Sequence, residues 1–143
     1  MYYYESWCGM TRKQAREEVF ILIFEKAFND DSVSDILELA IEAREIEPDD
    51  YIKDVFFGVF DNLDIIDNTI SENAVGWSIK RISKTALSIL RLAIYEMKFV
   101  ESIPVSVSIN EAVELTRKYS NESSCSFVNG VLGTISRKLA TKA

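Results

Sequence analysis

The sequence predicts an all-α fold of six or seven helices built as one domain. Three observations predict it. Apolar residues recur at spacings of three and four through most of the chain, and the only alternating stretch, Val105-x-Val107-x-Ile109, is short and runs into a helical pattern. Two prolines and five glycines are too few for a turn-rich β architecture. At 143 residues the chain suits a single core that buries about two-thirds of the unfolded surface.

Thr11 is placed to cap a first helix, whose stripe is Val19, Phe20, Ile23, Phe24, Ala27 and Phe28. Asn29-Asp30-Asp31-Ser32 ends it. Ser32 or Ser34 opens a second helix with Ile36, Leu37, Ala40, Ile41 and Ala43 inward and acids outward. Pro48 suits the first position of a third helix, with Asp49 and Asp50 at the positive end of its dipole. That helix carries Tyr51, Ile52, Val55, Phe56, Val59, Phe60, Leu63 and Ile66 in one wide stripe. Asn73 to Gly76 divides the chain into two halves. Trp77, Ile79 and Ile82 then suggest a short helix, and Ala86, Ile89, Leu90, Ala93, Ile94 and Met97 a longer one. Ile103-Pro104 interrupts it, because the residue before proline is pushed out of the α region. The next helix shows Val105, Ile109, Ala112, Val113 and Thr116. Two starts are open: Pro104, or the capping-box pattern Ser108-x-x-Glu111. The last helix carries Phe127, Val131, Leu132, Ile135 and Leu139, with Ser124 or Ser126 as its cap.

Composition narrows the function. The chain has no histidine, which removes imidazole ligands and His-based nucleophile systems. Neither a Gly-x-x-x-x-Gly-Lys nor a Gly-x-Gly-x-x-Gly motif occurs. Two cysteines, Cys8 and Cys125, give no disulfide framework and no CxxC site, so the chain reads as cytoplasmic. No stretch approaches the ~20 apolar residues that span a bilayer, and Met1 to Gly9 lacks the parts of a secretory signal. The net charge of −7 is unevenly spread. Residues 26–75 hold three basic residues against fourteen acidic ones, whereas residues 76–143 hold ten against five. Charge runs of this kind are usually solvated helix faces. A basic face opposite an acidic one also steers nucleic acid to one side.

Several residues need partners. Arg12, Lys13 and Arg16 are cations at a helix start, which the macrodipole disfavours by some tenths of a kcal/mol; a phosphate partner supplies the reason. Gly130 and Gly133 each cost a helix about 1 kcal/mol relative to Ala, so a close helix crossing is expected there, with direct backbone approach to a ligand as the alternative. Asn110 and Asn129 project from apolar stripes and, if buried, need partners in capped loops or on neighbouring helices. Arg91 sits among apolar residues and calls for a salt bridge to Glu96, Glu111 or Glu114, while Trp77 and Tyr95 read as packing residues. Ser120 to Ser126 is a polar segment that reads as an inter-helix loop.

Three segments in fixed order carry a resemblance. They are Ile89-Leu90-Arg91-Leu92-Ala93-Ile94-Tyr95-Glu96, Ser106-Val107-Ser108-Ile109-Asn110-Glu111-Ala112-Val113-Glu114-Leu115, and Ser126-Phe127-Val128-Asn129-Gly130-Val131-Leu132. The chain from about Thr11 to Leu139 resembles the bacterial transcription antitermination factor NusB. That resemblance implies two packed three-helix units with a short linking helix, no catalysis, and RNA binding. It further implies pairing with NusE, a small-subunit ribosomal protein, to hold boxA of nascent ribosomal RNA near RNA polymerase. By the same resemblance, Arg12, Lys13 and Arg16 contact phosphates. Phe24 and the segment with Glu122, Ser123, Ser124, Ser126, Phe127 and Asn129 meet RNA.

The chain also departs from that pattern. Phe24 stands where many relatives have tyrosine, Ser126 where some have lysine, and Ala86 where the family has an acid. A basic helix start thinner than in richly basic family members, and the lysine missing at Ser126, support an alternative: a protein-interaction module, homodimeric or paired with NusE, with weak or no RNA binding. A third reading, an accessory domain of an RNA methyltransferase, lacks a cofactor-binding domain in this sequence. Residues 1–9 precede the resemblance, and Met10 is where family members commonly begin. They read either as residues upstream of the biological start or as an extension whose aromatics pack on the body or on a partner. Residues 10–143 read as the RNA-binding antitermination domain.

Overall fold

Side-chain caps set most of the helix starts in the computed structural model, which describes residues 10–141. The Met1 to Gly9 leader lies outside the described residues. Helix α1 (Arg12–Lys26) opens with a reciprocal capping box: Thr11 Oγ1 accepts from the Gln14 N–H at 3.0 Å, and Gln14 Oε1 accepts from the Thr11 N–H at 2.8 Å. Ser32 caps α2 (Val33–Arg44), Asp49 caps α3 (Asp50–Asp61), and Ser83 caps α5 (Lys84–Phe99). Pro48 therefore stands just ahead of the α3 cap and not in its first turn.

The long third helix expected from the stripe is two helices. At Asn62 the backbone leaves helical geometry (φ −118°, ψ 23°), its side-chain amide donates to the Gly58 carbonyl at 2.8 Å, and α4 (Leu63–Asn73) follows. Apolar periodicity runs through the break because both helices face one core, so the stripe alone hides it. A 3₁₀ turn (Ile79–Arg81) leads to α5. Helix α6 (Val105–Tyr119) begins directly after Pro104, which resolves the two starts. Ser108 and Glu111 thus lie inside α6 and form no capping box. Helix α7 (Glu122–Thr141) begins earlier than expected: Asn121 Oδ1 accepts from the Ser124 N–H at 2.8 Å, and neither Ser124 nor Ser126 is the cap.

Among the described residues seven α-helices form two groups, α1–α3 and α5–α7, and α4 packs on the second through α5 and α7. Helix α5 is central: it packs on α1, α3, α4, α6 and α7. Its residues Ile89, Leu90, Leu92 and Ile94 are almost fully buried and join Leu22, Ile23, Tyr51, Phe56, Ile66 and Leu132 in one continuous core. Burial of each such side chain contributes about 1.5–3 kcal/mol. No helix among the described residues is long and apolar enough to cross a membrane.

Four sequence expectations change. Arg91 pairs with Asp67 of α4 through two hydrogen bonds at 3.0 and 2.9 Å, instead of with Glu96, Glu111 or Glu114. The linear motif concealed this, since α4 reaches α5 only in the fold. Asn110 and Asn129 are exposed and need no buried partner. Gly130 faces outward, and a Cβ there meets nothing within 4 Å. The buried stripe of α7 is Val128, Val131, Leu132 and Ile135, with Gly130 off its edge. Gly133 likewise meets only the Arg137 guanidinium, at 3.5 Å. The close approach lies instead at Gly58, where a Cβ would come within 2.3 Å of the Tyr95 ring.

Candidate nucleic-acid interface

The cationic start of α1 divides into three environments. Lys13 is exposed, and its ammonium lies 3.0 Å from Glu111 Oε2 of α6. Arg12 is half-buried, with its guanidinium 4.1 Å from the centre of the Tyr51 ring. Arg16 is buried, only 3% exposed, and its Nε donates to Glu96 Oε2 at 2.8 Å. Glu96 is itself 1% exposed and also accepts from the Tyr51 hydroxyl and, at 2.7 Å, from the Ser108 hydroxyl. This closed cluster ties α1, α3, α5 and α6 together. Burial opposes the Arg16 charge, but Glu96, Tyr51 and Glu111 hold its pKa above the ordinary value. Burial and the neighbouring Glu96 charge push the Tyr51 phenol well above its ordinary value. Arg16 thus differs from the exposed cation that the sequence suggested, because a buried carboxylate one helix away claims it.

Helix α7 supplies the second group. Ser123, Ser124 and Phe127 line a groove of about 220 Å³ with Trp77, Arg81 and Ser83. The Trp77 and Phe127 rings are tilted at 60° with centroids 5.6 Å apart, and Trp77 remains half exposed. Ser126 and Asn129 are exposed on α7 outside the groove lining. Glu122 is exposed and pairs with Arg117 at 3.3 Å. The segment from Glu122 onward is helix, not loop, so these side chains sit on a rigid support.

Phe24 links the two groups. It lies in an aromatic row with Phe20 at 6.0 Å and Phe28 at 4.9 Å, near the end of α1. The Lys84 ammonium stands 5.1 Å from the Phe28 ring, and Lys84 follows the groove residue Ser83. Phe24 is thus connected through Phe28 to Lys84, the residue after the groove residue Ser83, whereas Arg12 lies about 18 Å from Phe24 along α1 at 1.5 Å per residue. Arg81, Lys84 and the exposed face of Trp77 escaped sequence reasoning. The available signal was the basic cluster Lys80-Arg81-x-x-Lys84, just after the charge changes sign.

The arrangement combines separated cations with aromatic rings that stay partly open to solvent. Groups of that kind bind phosphates and stack on unpaired bases. Among the described residues, no cluster of three or more potential metal ligands exists.

Comparison with known proteins shows the family and the fold. The chain is 46% identical over 128 residues to the transcription antitermination protein NusB of Clostridium acetobutylicum, covering 88% of this chain and 95% of that protein. It superposes on NusB of T. maritima with a TM-score of 0.79 at 34% identity, covering 89% of this chain and 91% of that one. It also superposes on a chain from a structure of the antitermination factors NusB and NusE in complex with dsRNA. There the TM-score is 0.80 at 26% identity, covering 89% of this chain and 96% of that one. The family model described as "NusB family" matches residues 13–137. The chain belongs to the NusB family.

Proposed function

We propose that this chain is a cytoplasmic, non-enzymatic transcription antitermination factor that pairs with NusE and binds boxA RNA within an antitermination complex of RNA polymerase. The observation that carries the reading is the placement of Phe127, Trp77 and Arg81 around one groove, in a chain of this family whose remaining charge is strongly acidic. Lys13 and Arg12 serve as phosphate contacts at one end of the surface. Phe24 and Phe127 stack on bases at the other, with Ser123, Ser124, Ser126, Glu122 and Asn129 around them. Arg16 has a supporting role: its pairing with Glu96 fixes the start of α1, on which Arg12 and Lys13 stand.

Titration of boxA RNA with and without NusE tests this reading. Binding that tightens when NusE is added, and weakens steeply with salt, is the expected result. A second reading, a protein-interaction module without RNA binding, draws on one observation. Lys13 is already engaged by Glu111, so the free cationic surface is thinner than the sequence suggests. Retained NusE binding with no RNA binding under either condition supports that reading instead.

A further inference from the structure

The end of α6 carries an exposed aromatic that the sequence motifs do not single out. Tyr119 is 41% exposed, and its ring packs 4.9 Å from Phe20 at a tilt of 47°. Through Phe20 it joins the row that continues to Phe24 and the 63% exposed Phe28. The row has cations at both ends: Lys84 stands by Phe28, and the Lys118 ammonium lies 5.5 Å from the Tyr119 ring centre. Glu17 on α1 holds the Tyr119 end in place. Its Oε2 accepts from the Tyr119 hydroxyl and, at 2.5 Å, from Lys118. Burial and the bond to Glu17 push the Tyr119 phenol up to about 12, so it stays a neutral donor at physiological pH. The Glu17–Lys118 pair leaves a neutral aromatic face beside an exposed ammonium that exchanges a carboxylate for a phosphate when it binds one.

From this geometry we infer that Tyr119 is a further stacking platform for an unpaired base of bound single-stranded RNA, with Lys118 beside it for the adjoining phosphate. The inference rests on the RNA-binding reading above and extends the surface from the Phe24 row across to α6. Two exposed rings, Tyr119 and Phe28, joined through the buried Phe20 and the half-buried Phe24 and each with an ammonium beside it, match alternating bases and phosphates. An apolar protein face has no use for the two lysines. Stacking on an aromatic is tolerant of sequence, so this contact adds affinity without dictating which base is bound.

The test compares Tyr119→Ala, Tyr119→Phe and Phe127→Ala in the full chain with NusE, by titration of boxA RNA and by cross-linking to RNA carrying 5-bromouridine. Tyr119→Ala is expected to weaken binding by about tenfold. Tyr119→Phe, which keeps the ring, should stay within about threefold, and a cross-link should map to Tyr119. Lys118→Ala should lower the salt slope by about 0.7, the value for one phosphate on a single strand. The inference is overturned if Phe127→Ala weakens binding while Tyr119→Ala changes it by less than twofold and no cross-link reaches Tyr119. If the wild-type chain binds no RNA with NusE present, the broader reading has failed and this one falls with it.

Discussion

Replacing Arg16 by alanine separates a structural cation from an RNA contact. In the folded protein the Glu96 carboxylate is 1% exposed and receives three donors: Arg16 Nε at 2.8 Å, Ser108 at 2.7 Å and the Tyr51 hydroxyl. Arg16→Ala removes the only one of these that carries charge. Stranding one member of a buried ion pair costs about 3–5 kcal/mol. The two hydroxyls remain, so the lower end, about 3 kcal/mol, applies. For a domain of this length that corresponds to a melting-temperature drop of roughly 10 °C. Arg16→Met with Glu96→Gln removes both charges and keeps the volume, and should recover most of the loss. Urea unfolding of the wild type, both single variants and the pair gives the coupling energy directly. The coupling should exceed 1 kcal/mol, and RNA affinity at a temperature where every variant is folded should change less than threefold. A stability loss below 1 kcal/mol with a tenfold loss of RNA affinity refutes the assignment.

Gly130→Ala should stabilise the protein by up to about 1 kcal/mol in urea unfolding, because the new methyl meets nothing within 4 Å and alanine favours the helix. Gly58→Ala should destabilise it by about 1–3 kcal/mol through collision with the Tyr95 ring, and most of that loss should vanish in a Tyr95→Ala background. Burial of Glu17 acts against its charge, but hydrogen bonds from Lys118 and Tyr119 and the Lys118 charge leave its carboxyl below the ordinary value of 4.5. A depressed carboxyl contributes stability above its unfolded value and loses it as pH falls through the folded one. Wild type should therefore exceed Glu17→Gln in stability at pH 7, with the gap closing below about pH 4.5; a gap independent of pH contradicts the pairing.

The helices were legible in the sequence because caps and apolar spacing are local. Thr11 and Ser32, read as caps from the sequence, each act within three residues of the helix they start, and Asp49 and Ser83, not read as caps, do the same. The break at Asn62 was hidden because α3 and α4 share one core and so preserve the period. Partners across helices were not legible: Arg91 found Asp67, and Arg16 found Glu96, eighty positions away in sequence. Gly130 misled for a related reason, since its place in an apolar motif says nothing about which side of α7 faces a neighbour. The motif drew attention to Phe127. The groove around it was not legible, because Trp77 and Arg81 come from the turn before α5.

The most direct test of the central claim is the affinity of the Phe127→Ala chain for boxA RNA with NusE present, measured beside its melting temperature and its NusE affinity. Phe127 is half-buried and lines the groove against Trp77, so truncation removes the ring that we propose stacks on a base. The account predicts RNA binding weaker by tenfold or more, with NusE affinity unchanged and the chain still folded at the assay temperature. Unchanged RNA affinity in a folded Phe127→Ala chain contradicts it.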